Sequence, residues 1–264
     1  METDLREGDY LPSAIRPLTQ EQLQKMIAVS RREQPADIVI ENATILNVYT
    51  RELMEGTIGI SGKHIAYVGP TPPLQGDKTQ VIDASGYVLV PGYIEPHAHP
   101  TQVYNPATMA TQALKWGTIA VVNEGSSFFL SMTEEDFHRM LDEFSQYPIK
   151  IFWSIQMGRH MLRAHLKEHF TPERLRRTLS HPFVVQVGEL SGFPFLLKGD
   201  PDTLENILAS QSQGKRVEGH LPGASFETLN AAAAAGVRAC HESISVEEVI
   251  GRLSLGMYAT LRLS

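Results

Sequence analysis

Four short stretches of the sequence carry residues able to do chemistry. They are His97-Ala98-His99, Gly188-Glu189, Gly219-His220 and His241-Glu242. In an extended segment, side chains two residues apart point the same way, so His97 and His99 can face one metal ion. A carboxylate directly after a buried strand, such as Glu189 after Val184-Val185-Gln186-Val187, can bridge two cations through its two oxygens. Taken singly, each stretch has an ordinary explanation. A His-x-His pair is commonly a solvated loop, a strand-end acid commonly opens a helix, and a lone histidine is usually a hydrogen-bonded structural residue. Taken together they form an ordered set of neutral imidazoles and one carboxylate, which suits Zn, Fe or Mn. Glu242, next to a ligand, is the expected proton carrier.

The elements that must position this set follow from the apolar pattern. After Pro91-Gly92, strand-like runs at 93–96, 119–123, 149–155, 183–187, 216–218, 237–240 and 257–262 alternate with helical segments near 102–115, 133–145, 172–180, 201–212, 225–235 and 245–253. That alternation predicts βαβ units and a parallel sheet. The four chemical stretches fall at the C-terminal ends of strands one, four, five and six, the rim on which barrel active sites are assembled. At roughly 25–30 residues per βα unit, the segment holds about six units and a seventh strand. The expected fold is therefore α/β: a (β/α)8-type, TIM-like barrel over 92–264, incomplete at its C-terminal end. Upstream, β-branched runs at 38–48, 57–60, 64–68 and 81–90, punctuated by Ser61-Gly62-Lys63 and Ala84-Ser85-Gly86, predict a small β-sandwich domain over 37–91. Residues 1–36 read as an N-terminal helical extension whose helix opens with a capping-box pattern at Thr19.

Bulk properties exclude several function classes. Hydrophobic content of 42% with 20% charged residues is that of a soluble globular chain. A net charge of -7 argues against nucleic-acid or anionic-membrane partners, which need a basic surface. No apolar stretch approaches the ~18 residues of a spanning helix. The single cysteine, Cys240, rules out an internal disulfide and a cysteine-built zinc cluster, and reads as a buried small apolar residue. The expected location is the cytoplasm.

The same residues carry a family resemblance. PGYIEPHAHP resembles the first-strand signature of the amidohydrolase superfamily. VGELSGFPFLLKGD, VEGHLPGASFETLNAAAAAGVRACHES and LGMYATLRLS resemble the corresponding stretches of the adenine deaminases, and the likeness covers roughly residues 37–264. It implies that His97 and His99 bind one divalent ion, that His220 and His241 bind a second, and that Glu189 bridges them. The ions expected are two Mn2+, with Fe2+ or Zn2+ as alternatives. The implied reaction is hydrolysis of a 6-aminopurine base, adenine or N6-methyladenine, to hypoxanthine with loss of ammonia or an amine. A homodimer is implied for the full-length form.

Glu124, at the end of the second strand, and Arg159 and His160, in the loop after the third, are the expected substrate-binding residues. His165 and His169 fall on the solvated face of that loop. Two features depart from the family pattern. Its aspartate after the eighth strand has no counterpart before Ser264, and the stretch Gln156–Phe170 differs from the usual loop. PGYIEPHAHPTQVYNP is similar to a subgroup acting on N6-substituted adenines. The competing readings are a dihydroorotase-like cyclic-amide hydrolase, disfavoured because a glutamate stands where those enzymes commonly carry a lysine, and a truncated relative without catalysis. With the last barrel strand absent, the chain is expected to be weakly stable or prone to associate.

Overall fold

The computed structural model describes residues 17–156 and 171–261. It divides into two compact units, Met1–Gly92 and Tyr93–Ser264.

In the first unit, helix α1 (Gln20–Ser30) starts where the sequence places a cap. The Thr19 hydroxyl accepts from the Gln22 amide, and the Gln22 side chain accepts from the Thr19 amide. The helix packs on a sheet through Val29, which shares a core with Ala36 and Val39. That sheet comprises β1 (Ile38–Asn47), β2 (Glu52–Ser61), β3 (His64–Gly69), β4 (Gln80–Asp83) and β5 (Val88–Leu89). Its order is β3-β2-β1-β4, with β5 also alongside β1. The β2–β3 hairpin turns at Gly62, whose φ of 60° costs a glycine little. Two sequence expectations are corrected here. The run at 57–60 extends back to Glu52, because Leu53 and Met54 pair across to Leu46 and Ile45. The run at 81–90 breaks in two, because the chain turns at Ala84-Ser85-Gly86 before β5 rejoins β1.

The second unit is a succession of strand and helix: β6 (Tyr93–Ala98), α2 (Pro100–Val103), α3 (Pro106–Lys115), β7 (Thr118–Glu124), α4 (Ser126–Ser131), α5 (Glu134–Phe144) and β8 (Lys150–Ile155). It continues with α6 (Pro172–Leu179), β9 (Val184–Leu190), α7 (Phe193–Leu197), α8 (Pro201–Ser212), β10 (Arg216–Gly219), α9 (Phe226–Ala234), β11 (Val237–Ser243), α10 (Val246–Ser254) and β12 (Tyr258–Leu261). The seven strands form one parallel sheet in sequence order from β6 to β12. Among the described residues, β12 and β6 do not pair with each other. This is the incomplete TIM-like barrel that the pattern predicts.

Local chemistry explains the helix starts. Asn105, Thr133, Thr171, Asp200, Ser225 and Ser245 each accept a hydrogen bond from the backbone amide three residues on. The expected single helix at 102–115 is two, because Asn105 caps afresh and Pro106 cannot continue the ladder of α2. The helices α4 and α7 lie in loops that periodicity leaves unassigned; each is too short to show a full apolar stripe. Behind the sheet, Phe137 and Leu141 of α5 and Leu175 and Leu179 of α6 are buried with Ile151, Trp153 and Val184 of the strands. Among the described residues no helix is long and apolar enough to cross a membrane.

Candidate metal centre

Parallel strands in sequence order bring their C-terminal ends to one rim, and the chemical residues converge there. His97 sits in β6 and His99 just past it; Glu189 is in β9, His220 follows β10, and His241 and Glu242 lie in β11. His97 Nε2 is 2.9 Å from His99 Nε2 and 3.1 Å from Glu189 Oε1. Glu189 Oε1 is also 3.0 Å from His99 Nε2 and 3.4 Å from His241 Nε2. A second group adjoins the first: His220 Nδ1 is 3.0 Å from His241 Nε2, and Glu242 Oε1 is 3.4 Å from both. Glu189 thus stands between the two groups, its other oxygen 3.8 Å from His220 Nδ1.

These separations test whether the residues fit a cation. Donors held tetrahedrally at ~2.0–2.1 Å from one ion lie about 3.3 Å apart, close to the spacings observed. Two imidazole nitrogens at 2.9 Å can share one proton, and a cation can take that proton's place between their lone pairs. His97, Glu189 and His241 form one group able to hold an ion; His220, His241 and Glu242 form another. The residues fit.

The electrostatics agree. Burial alone would strip the proton from His97, yet hydrogen bonds to Glu189 and Glu218, and the charges of both, raise its pKa to about 10. Burial likewise opposes ionisation of Glu189, but contacts with His241, His97 and His99 and the charge of His220 hold it far below the usual carboxylate range. Burial works against His241 too, and Glu189 and Glu218 outweigh it to push its pKa up. Glu189 and Glu218 thus favour positive charge at the rim. The cavity over it, about 590 Å3, is lined by His97, His99, Glu189, His220, His241 and Glu242.

The remaining expected residues are distributed differently. Glu124 ends β7, buried, and accepts from the Ser126 amide at 2.8 Å and from the Ser126 hydroxyl. Burial raises its pKa despite those bonds, which favours the neutral acid. Among the described residues, no hydrogen bond joins it to the histidines. Arg159 and His160, with His165 and His169, lie outside the described residues. Cys240 is fully buried, as an apolar residue would be.

Two residues of the site escape sequence reasoning. Glu218, buried in β10, contacts His97 Nδ1 at 3.1 Å and His241 Nδ1 at 3.3 Å and accepts from Gln186 Nε2 at 2.6 Å. The available signal is its place two residues before His220, at the end of an extended run, where alternation puts both on one side. Arg252, fully buried in α10, donates to the carbonyl of Leu221 at 2.9 Å and to that of Glu242 at 3.4 Å. It ties together the two segments that carry His220 and His241. Nothing in its sequence context marks it.

With this geometry in hand, comparison with known proteins is informative. No family model matches the chain. A protein of Picrophilus torridus named a putative adenine deaminase is 38% identical over 240 residues, covering 91% of this chain and 41% of that protein. The adenine deaminase of Moorella thermoacetica is 33% identical over 255 residues, covering 94% of this chain and 42% of its own length. The chain therefore spans about two-fifths of the length of these curated relatives. Among solved structures, a D-aminoacylase described as defining a subset of amidohydrolases superposes with a TM-score of 0.59 at 14% identity. That match covers 86% of this chain and 58% of the other, and it speaks for the fold alone. By sequence, the chain is similar to adenine deaminases over more than nine-tenths of its own length and about two-fifths of theirs, and by fold it resembles a D-aminoacylase of the amidohydrolases.

Proposed function

We propose that the chain carries the metal-binding part of a hydrolase that deaminates a 6-aminopurine base, adenine or N6-methyladenine, with 92–264 as the catalytic barrel segment and 37–91 as a small accessory β domain. The observation that carries this reading is Glu189, held between the pair His97/His99 and the pair His220/His241. In this reading His97 and His99 would hold one divalent ion, His220 and His241 the other, and Glu189 would contribute to both. When bound, such ions supply Lewis acidity and lower the pKa of a water toward neutrality. Mn2+ is our first assignment, with Fe2+ or Zn2+ able to use the same nitrogen and oxygen donors.

The residues of the chain then have distinct tasks. In the net reaction, water oxygen bonds to C6, the C6–N6 bond breaks, and ammonia or an amine leaves. Glu242 Oε1, at the cavity and 3.4 Å from two histidine nitrogens, takes the water proton and returns it to the ring or the leaving nitrogen. The same position makes Glu242 available as a ligand. Glu124, whose carboxyl pKa burial pushes up, is proposed to hydrogen-bond the base from the end of β7. Arg159 and His160 are proposed to edge the pocket. The partner is a small purine base; nucleic acid and membrane are not part of the reading, which places the protein in the cytoplasm as a homodimer at full length.

The test is release of ammonia from adenine and of methylamine from N6-methyladenine by Mn2+-loaded protein. It is made on the chain alone and on the chain joined to the remaining C-terminal part of the Picrophilus torridus relative. Purine turnover by the joined protein supports the reading. Hydrolysis of dihydroorotate or a hydantoin without purine turnover moves the protein to the cyclic-amide hydrolases and overturns it.

A further inference from the structure

We infer that Glu218 is a positioning residue that fixes the ring orientation and tautomer of His97 and His241 together, presenting one nitrogen of each to the metal cluster. This rests on the metal reading above and adds a residue to it.

The geometry is specific. Glu218 Oε2 lies 3.1 Å from His97 Nδ1, and Glu218 Oε1 lies 3.3 Å from His241 Nδ1. On each ring the other nitrogen, Nε2, is the one that faces Glu189. A carboxylate accepts only, so both histidines donate Nδ1–H to it, and Nε2 is the nitrogen each ring would present to a cation that displaces its proton. The rings stack with centroids 3.8 Å apart and planes 20° from parallel, so one carboxylate can reach both edges at once. Glu218 is itself held: Gln186 Nε2 donates to Oε2 at 2.6 Å, and the side-chain oxygen Gln186 Oε1 accepts from the Arg216 guanidinium. With its side chain about 2% exposed, water cannot substitute for these partners. Carboxylate partners of this kind commonly change metal affinity roughly 10–100-fold. The unusual feature is that one carboxylate serves two ligands, one on the end strand β6 and one on β11, the neighbour of its own strand.

Glu218→Gln and Glu218→Asp separate positioning from filling space. Glutamine keeps the volume but offers one acceptor oxygen and an NH2. If the oxygen serves one histidine, the NH2 meets Nδ1 of the other and drives that ring to the Nε2–H tautomer, which cannot ligate. Aspartate loses a methylene but keeps two acceptor oxygens. Zn2+ is titrated into the metal-stripped full chain and its bound content measured by elemental analysis. The expected result is two zinc ions for the unaltered chain, one ion or a roughly 10–100-fold weaker second site for Glu218→Gln, and partial recovery for Glu218→Asp. Equal zinc binding by Glu218→Gln, with Glu218→Asp the weaker, overturns the inference and leaves the metal reading standing. No zinc on the unaltered chain overturns both. Should Glu218→Gln not fold, the nitrogen-15 spectrum of the zinc-loaded unaltered chain decides. Protonated Nδ1 on His97 and His241 is expected, and Nε2–H on either overturns the inference.

Discussion

At the scale of single residues, the site works by contrast between groups that share one rim. Glu242→Gln keeps the shape and removes the proton acceptor, so turnover should fall roughly 10²-fold or more with bound metal reduced by at most one ion. Steady-state ammonia release alongside elemental analysis checks this. A second expectation concerns pH. His97, with a pKa raised to about 10, holds a proton in the ion-free chain across the neutral range, while a metal ligand must be deprotonated. Loading a cation at pH 7–8 should therefore release protons, and affinity should fall as the pH is lowered. Titration in a weakly buffered solution, read with a pH indicator, measures the release; affinity that does not change with pH contradicts it. The ligands were legible in the sequence because each is a polar residue closing an apolar run. Glu218 was not, since it lies inside the strand, where a carboxylate is stable only through partners that the fold brings from 121 and 23 residues away.

Elements place these residues, and their strengths are separable from the chemistry. The helix α8 packs behind β10, and its start depends on Asp200, which accepts from the Thr203 amide at 2.9 Å and from its hydroxyl at 2.8 Å. Asp200→Ala should cost about 1 kcal/mol of stability, measured by urea denaturation, without changing metal content. Arg252→Met should cost more, about 2–3 kcal/mol, because it removes a buried donor from the carbonyls of Leu221 and Glu242, and it should also loosen metal binding. The strands were legible because parallel strands buried on both faces are runs such as Val184–Val187 and Ile149–Ile155, bounded by turns. Their ends were read short at β9 and β11, where the polar residues Glu189, His241 and Glu242 continue the strand because the site, not solvent, receives them. The two-residue β5 could not be read at all: it exists only through its pairing with Thr44 and Ile45.

At the scale of the whole molecule, the parallel sheet has two end strands that do not pair with each other among the described residues. They carry exposed apolar side chains, Tyr93 and Ile94 on β6 and Tyr258 and Leu261 on β12. Unpaired edges of this kind are templates for association, and a barrel closes only when its first and last strands meet through hydrogen bonds. The 264-residue chain should therefore self-associate at micromolar concentration in analytical ultracentrifugation and turn purines over slowly. Joining it to the remaining part of a relative should suppress the first behaviour and raise the second. The proposed chemistry depends on the rim being a metal centre, and equilibrium dialysis against Mn2+ tests that most directly. The metal-stripped chain should take up two ions, His97→Ala and His220→Ala should each lose at least one, and His64→Ala, on an exposed strand of the first unit, should lose none. Equal metal content in all four proteins would contradict the account.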